Sequence, residues 1–478
     1  MPVSAVRIRE LRAAPVRPER SFVLYWMTSA RRLRWNHALD RALEHARALG
    51  LPLLVFEALR ASYPWASERF HAFVIDGMHD NAAEAEAAGV TYLPYVERQA
   101  DEGKGLLAAL AADAAVVVTD DFPTYFLPNM LSAAVPAIDV RFEAVDSNGV
   151  LPLAQPGRTF TMAQHFRRHL HKHVVPWLLD RPSAAPLEGY ALGRAHLPAA
   201  VTSRWPVGVP SATGLGLGGP RTCALRGGAA SARARLAAFL RGPLARYAED
   251  RNEPDVQAST GLSPALHFGP SAAHEVVAAV LDGEGWTPAR IEPTQLASRE
   301  GFWGLSAPAE AFIDEIVTWR ELAYNDAWER PQAHRRYDGL PSFALQTLDK
   351  HRGDRRPVVY DAATLEAART HDPLWNAAQR QLLREGVIHN YLRMLWGKKV
   401  LEWSASPEEA FDTLVDLNNR YALDGRNPNS WSGIAWCFGR FDRAWGPERP
   451  IFGTVRYMSS DNTARKIDVK GYLRRYSA

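Results

Sequence analysis

Fifteen of the 478 residues are tryptophan, and three of these have a spacing that chemistry could use. Trp396 and Trp403 are seven apart. On one helix that is two turns, which puts both indoles on one face about 10 Å apart along the axis. Trp375 lies in a preceding helical pattern that could pack beside them. Three indoles so placed can relay an electron between the surface and a buried redox group, although a tryptophan-rich core stripe would give the same pattern. A second cluster runs from Tyr247 and Arg251 to Ser259, Thr260, Gly261, Leu262 and Ser263, followed by Pro264. Two hydroxyls, a glycine and Ser-Pro ahead of an apolar stretch mark a helix start, where free amides and hydroxyls can hold a phosphate. An ordinary capped helix would read the same way. Third, Arg440, Arg443, Arg449, Arg456, Arg465 and Lys466, with Tyr457 interleaved, make the C-terminal region basic. Such a face would neutralise phosphates, or simply be solvated. His165, His169 and His173 have helical metal-ligand spacing. They stand among Arg167, Arg168 and Lys172 with no carboxylate or thiol, so no metal is expected.

The elements that must position these residues change character along the chain. Apolar runs at 21–27, 52–56, 91–96, 115–119 and 136–145 alternate with helical patterns. That alternation predicts a doubly wound α/β domain with a parallel sheet. Ligands in such sheets sit beyond the carboxyl ends of strands, which places Asp120, Asp121 and Phe122 at a pocket rim. Residues 1–20 are Arg-rich without an apolar segment and read as a solvated tail. The α/β domain is expected over 21–180. A connector rich in Pro, Gly, Ala and Ser follows over 181–228. Its GLGLGG run (214–219) has no strand before it, so it reads as linker, not as a dinucleotide fingerprint. From 229 to 478 the pattern is helical, with helices expected over 231–240, 271–281, 309–327, 374–383 and 407–417.

Composition narrows the class. The chain is 47% hydrophobic and 23% charged, with a formal net charge of +3. That is a globular composition, not a generic polycation, so any nucleic-acid binding needs charge gathered on one face. No apolar run is long enough to span a membrane. The two cysteines, Cys223 and Cys437, exclude a disulfide framework and fit a reducing, cytoplasmic setting.

The motifs have a family likeness. The segment from Tyr247, with Ser259 twelve residues on and then LSPALHFG, resembles the flavin-diphosphate motif of the photolyase/cryptochrome family. LWNAAQ (374–379), REGVIHNYLRMLWGKKVLEWSASPEEA (384–410), LNNRYALDGRNPNSWSGIAW (417–436), FDRAWGPERPIFGTVRYM (441–458) and RKIDVKGYLRRY (465–476) resemble class II cyclobutane-pyrimidine-dimer photolyases. So does Trp319-Arg320-Glu321-Leu322-Ala323. The likeness covers most of the chain and is weakest in the first half. There residues 30–36 replace the usual D-Q-R-V-x-D-N. Ala265 and Asn390 also depart from the class, which usually has Trp and Gly.

The resemblance implies FAD in a C-terminal all-helical domain, and a second antenna chromophore of unknown identity. It places Trp396 nearest the flavin, Trp375 between and Trp403 outermost. It puts Asn418 at flavin N5, where an amide can accept or donate, and an Arg393–Asp424 pair beside the ring. A cation there favours the anionic reduced flavin; the bland reading is a structural salt bridge. It puts the Glu321 carboxyl on the lesion, where burial would raise its pKa, and Trp436 under a flipped dimer as a stacking platform. Arg456 would fill the gap left by the flipped bases, with Arg440, Arg443 and Tyr457 nearby. The implied activity is light-driven electron donation to the dimer in damaged DNA by a monomer. The rivals are a photoreceptor and a (6–4) lesion enzyme, which would need a histidine acid such as His267 or His389.

Overall fold

The computed structural model describes residues 2–209, 211 and 215–478, so the first glycine of the 214–219 run lies outside the described residues. Two compact units share the chain. The first collects 1–156, 173–236 and 261–283; the second collects 157–172, 237–260 and 284–478.

The first unit is built on strands β1 (Ile8–Arg12), β2 (Phe22–Met27), β3 (Leu53–Leu59), β4 (Thr91–Val96), β5 (Ala114–Asp120) and β6 (Phe142–Val145), in the order β1-β6-β5-β2-β3-β4. β2 to β6 are parallel. Phe22, Leu24 and Trp26 enter one apolar cluster, and Val23, Tyr25 and Met27 enter another. Burial on both faces is why the run is apolar without alternation. Among the covering helices, α1 (His37–Leu49) is capped by Asn36 and ends at Gly50 in the left-handed conformation, and α2 (Glu68–Ala88) is capped by Ser67. β1 stands where the sequence suggested a tail. It pairs antiparallel with β6, Ile8 opposite Val145. Its charges suit an edge strand and hide the apolar signal. The strand expected over 136–145 shrinks to β6, because Pro136 lies in a 3-10 turn, Val135–Ala137.

The carboxyl end of β5 is committed to the unit's own backbone. Asp120 is 1% exposed and accepts from Tyr25 Oη (2.7 Å) and the amides of Thr28, Ser29 and Ala30 (2.7, 2.7 and 2.9 Å). Asp121 takes a two-bonded contact from Arg9, and Phe122 is buried. The pocket rim expected at these residues is therefore corrected to an internal brace.

In the second unit α3 (Tyr247–Asp250) precedes the hydroxyl-rich segment; α4 (Ser263–Phe268), which follows it, belongs to the first unit. Helix Ala307–Ile313 runs through a wide π-helical turn, Asp314–Trp319, into α5 (Arg320–Glu329). Then come α6 (Pro373–Glu385), α7 (Asn390–Trp403), α8 (Pro407–Tyr421) and α9 (Pro428–Cys437), with proline at each start except that of α7. Asp372, Ser406 and Asn427 cap α6, α8 and α9 through their side chains. α7 packs against α6, α8 and α9, and α5 packs against α9. Among the described residues no helix is long and apolar enough to cross a membrane.

Asp120→Ala should lower the first unit's stability by about 3 kcal/mol or more, because several charge-assisted bonds go and buried amides lose their acceptor. The denaturant midpoint of that unit is the measurement; an unchanged midpoint would contradict the brace.

Candidate active site in the helical unit

The three indoles meet. Trp375 on α6 stacks on Trp396 of α7 with ring centroids 6.4 Å apart and planes 9° apart. It meets Trp403, at the far end of α7, edge-on at 5.7 Å. The order is therefore Trp396, Trp375, Trp403. All three are at most 2% exposed. Their orientation is fixed by hydrogen bonds: Trp375 Nε1 donates to Trp396 O (3.0 Å), and Trp396 Nε1 donates to Gln379 Oε1 (3.0 Å). Trp403, which the resemblance makes outermost, is covered by Tyr360 and His371, edge-on at 5.6 and 5.2 Å.

One turn before Trp396, Arg393 Nη2 donates to Asp424 Oδ1 (2.9 Å). Asn418, at the end of α8, is buried and donates through Nδ2 to Ser430 Oγ (2.6 Å) and Asn419 Oδ1 (3.4 Å). Its Oδ1 accepts from no protein group among the described residues. The same helix ends carry further buried polar atoms without partners: His389 Nδ1, Arg393 Nε, Asn419 Nδ2, Asn429 Oδ1 and Trp431 Nε1. Buried polar atoms are normally satisfied. Such a group of orphans fits a flat, polar ring such as an isoalloxazine, which offers both donors and acceptors. Burial pushes His389 down to about 4, so its imidazole is neutral at pH 7.

The expected phosphate residues lie on both sides of the division between the units. Tyr247 is buried edge-on against Phe239 and Phe312, and burial raises its pKa. Arg251 donates to Glu315 Oε1 (3.0 Å). Ser259 and Ser263 are exposed, Leu262 is 1% exposed, and Gly261 has φ +62°, which favours glycine. The N-cap position of α4 is Leu262, whose side chain makes no cap bond.

Glu321 is buried near the start of α5, just after the π turn. Trp436 lies partly exposed near the end of α9. Its ring has Lys398 Nζ 5.2 Å and Arg456 Cζ 5.7 Å from its centroid. Arg456 also lies 5.2 Å from Trp445, which carries Arg443 at 4.6 Å. Tyr457 packs edge-on against Phe452, with Arg449 over its ring. The loop bearing these groups is held close by Gly453, where an added Cβ would fall 1.9 Å from Thr347 Oγ1. Sequence reasoning missed Trp445 and Lys398. The signals were an Arg-X-Trp in a basic stretch and a Lys-Lys between two tryptophans of a buried helix.

Arg440 is corrected. It is 1% exposed, and its guanidinium binds Asp326 Oδ2 (3.2 Å), His334 O (2.6 Å) and Gly339 O (2.8 Å). It ties α5 to the chain just after α9 and has no free face for a phosphate. His165 and His169 lie on helix Ala163–Leu179, and among the described residues no group of three or more His, Cys, Asp or Glu could hold a metal ion. Arg440→Met should cost about 2–4 kcal/mol of stability, because Asp326 Oδ2 and His334 O lose this donor while Arg330 still holds Asp326 Oδ1. Arg443→Ala should leave stability within about 0.5 kcal/mol and reduce the salt slope of duplex binding by about 1. Denaturation and salt-titrated DNA binding separate the two; a stable Arg440→Met variant with weak DNA affinity would reverse the assignment.

No family model matches the chain. The deoxyribodipyrimidine photo-lyase of Methanothermobacter thermautotrophicus is 33% identical over 478 residues, covering 99% of this chain and 98% of that protein. The deoxyribodipyrimidine photo-lyase of Oryza sativa subsp. japonica is 32% identical, covering 94% of this chain and 86% of that protein. The crystal structure of a bacterial class III photolyase from Agrobacterium tumefaciens has the same fold, with a TM-score of 0.69 at 18% identity over 96% of this chain and 86% of that one. Near-complete coverage at this identity, together with that fold, places the chain in the photolyase/cryptochrome family.

Proposed function

We propose that this chain is a class II-type photolyase that binds FAD and repairs cyclobutane pyrimidine dimers flipped out of duplex DNA. The observation that carries the reading is the three-indole stack, whose inner member sits one helical turn from a group of orphaned buried polar atoms. FAD, when bound, supplies light-driven donation of one electron to the cyclobutane ring and recovery of that electron once the ring opens. Tyr247, Arg251, Ser259, Thr260, Gly261, Leu262 and Ser263 hold its diphosphate side. Asn418, whose Nδ2 is committed to Ser430 and Asn419, would offer its Oδ1 to the flavin ring. Arg393 keeps positive charge at the ring, which favours the anionic reduced form, and Asp424 orients that guanidinium. Trp403, Trp375 and Trp396 would form the relay that carries an electron toward that ring. Glu321 donates a hydrogen bond to a pyrimidine carbonyl and stabilises the charge that arrives there. Trp436 stacks under the flipped lesion, Arg456 enters the gap, and Arg443 and Tyr457 lie along the backbone. The two thiols, neither in a disulfide, suit a reducing setting.

One observation weighs against the (6–4) alternative. Of its two candidate acids, His267 and His389, burial holds His389 neutral at pH 7. The photoreceptor alternative has no use for a buried carboxyl and an accessible indole on two packed helices.

The test is repair of oligonucleotides carrying one lesion type, under blue light, by protein reconstituted with FAD. Dimers should be repaired and (6–4) products left intact; unrepaired dimers with fully reduced flavin would refute the reading. Glu321→Ala should lower the yield per photon by about tenfold or more, with lesion affinity near wild type.

Trp396→Phe should abolish photoreduction yet leave dimer repair intact when the flavin is reduced chemically beforehand. Normal photoreduction in that variant would break the relay assignment.

A further inference from the structure

Lys398 is fully buried in α7, and nothing in the proposed repair cycle uses it. Burying an ammonium is costly and needs a compensating contact. Here Nζ donates to Cys437 O at 2.6 Å, at the carboxyl end of α9, where helix carbonyls carry partial negative charge. The same Nζ lies 5.2 Å from the centroid of Trp436, the residue before that carbonyl. One side chain therefore fixes both the backbone at the end of α9 and the ring beside it. The other cation at the ring, Arg456, is exposed and shared with Trp445. Arg456 is free to leave; Lys398 is not.

We propose that Lys398 is a positioning residue for lesion recognition, holding the Trp436 ring in its stacking orientation while Arg456 moves into the DNA. The inference rests on the reading of Trp436 as the lesion platform. A buried cation over one face of this partly exposed indole holds the ring in place, so losing the charge should be felt in lesion affinity. Burial pushes the Lys398 ammonium down to about 8. The other groups acting on it are Asp442, Arg456 and Cys437. Cys437 is pushed up to about 11 by burial, above the range in which Lys398 loses its proton. Lys399, the next residue, is engaged by Glu402 at 2.8 Å and lies over Trp403. The ammonium is complete below its pKa and lost as pH rises through it, so lesion preference should decline from pH 7 to 9.

The experiment compares wild type, Lys398→Met, Trp436→Ala and the double variant, all loaded with FAD. It measures affinity for duplex with and without a dimer at one salt concentration, and the flavin spectrum as a check on folding. Lys398→Met should weaken dimer binding by about 5- to 30-fold, leave undamaged duplex within about twofold, and abolish the pH trend. In the Trp436→Ala background it should add less than about twofold, because it acts through that ring. An equal loss in both backgrounds, or no loss in Lys398→Met while Trp436→Ala is impaired, overturns the Lys398 assignment and leaves the platform standing. Unimpaired dimer binding by Trp436→Ala refutes the platform itself. If Lys398→Met does not fold, the wild-type ratio of dimer to undamaged affinity decides: a ratio flat from pH 7 to 9 overturns the inference.

Discussion

The buried contact between Arg440 and Asp326 is the constraint on which the proposed lesion side of the molecule depends. Asp326 belongs to α5, which carries Glu321; Arg440 follows α9, which carries Trp436. Both side chains are at most 3% exposed, and burial lowers the guanidinium's pKa to about 10 even with the carboxylate beside it. A pair in such a place gains little net stability over apolar packing, but it is intolerant of losing one partner. It also has direction. The guanidinium takes His334 O and Gly339 O as well as the carboxylate, so the turn after α5 is fixed by the same group. Glu321 and Trp436 thus stand on helices that cannot slide past one another without stranding a charge.

The proposed flavin side has the opposite character. Around the ends of α7 and α8 and the start of α9, buried donors and acceptors are left without protein partners. Each costs about 1–3 kcal/mol when left unmade. The chain has nevertheless fixed the surrounding geometry: Asn427 caps α9 and holds Ser430 N at 2.8 Å, and Ser430 Oγ in turn takes the Asn418 amide. That commits the amide's donor face and leaves its acceptor face open. A ring with donors and acceptors at its edge would relieve several orphans at once, so its binding energy is coupled to the stability of this unit.

Much of the fold was legible because period and burial coincide in it. β2, β3, β4 and β5 are apolar on both faces, and α6 and α8 begin with a cap and a proline that a sequence states openly. β1 was not legible: its Ile-Arg-Glu-Leu-Arg is made for an edge, and its pairing with β6 links residues more than a hundred positions apart. At the site, a seven-residue spacing put Trp396 and Trp403 on one helix face, but a core stripe has the same spacing, and it was the resemblance that singled out these two and Trp375 as a relay. The resemblance, not the pattern, pointed to Asn418 and the Arg393–Asp424 pair. Arg440 and Lys398 failed in opposite directions. One cation in a basic stretch is structural, and one cation in a buried helix faces the proposed lesion platform. Charge type carries no burial information, and burial is what decided both.

The same point settles what the small net charge means. A formal +3 spread over the chain would give weak attraction to a phosphate backbone. But Arg7, Arg426, Arg440 and Lys398 are among the largest fully buried side chains and present nothing to a ligand. The cations that can meet DNA are those at the surface. Arg443, Arg449 and Arg456 are exposed within one loop, where Asp442 already accepts from the Trp445 indole at 3.0 Å and Glu448 from Lys350 at 2.7 Å. At physiological salt, charges interact over about 8 Å. Attraction to a phosphate is therefore decided by the loop's own composition, not by the sum over the chain. On the proposed function, a local surplus of arginine beside Trp436 and Trp445 would give binding that is electrostatic in its reach and aromatic in its selectivity, which is the combination needed to find a damaged base pair among intact ones.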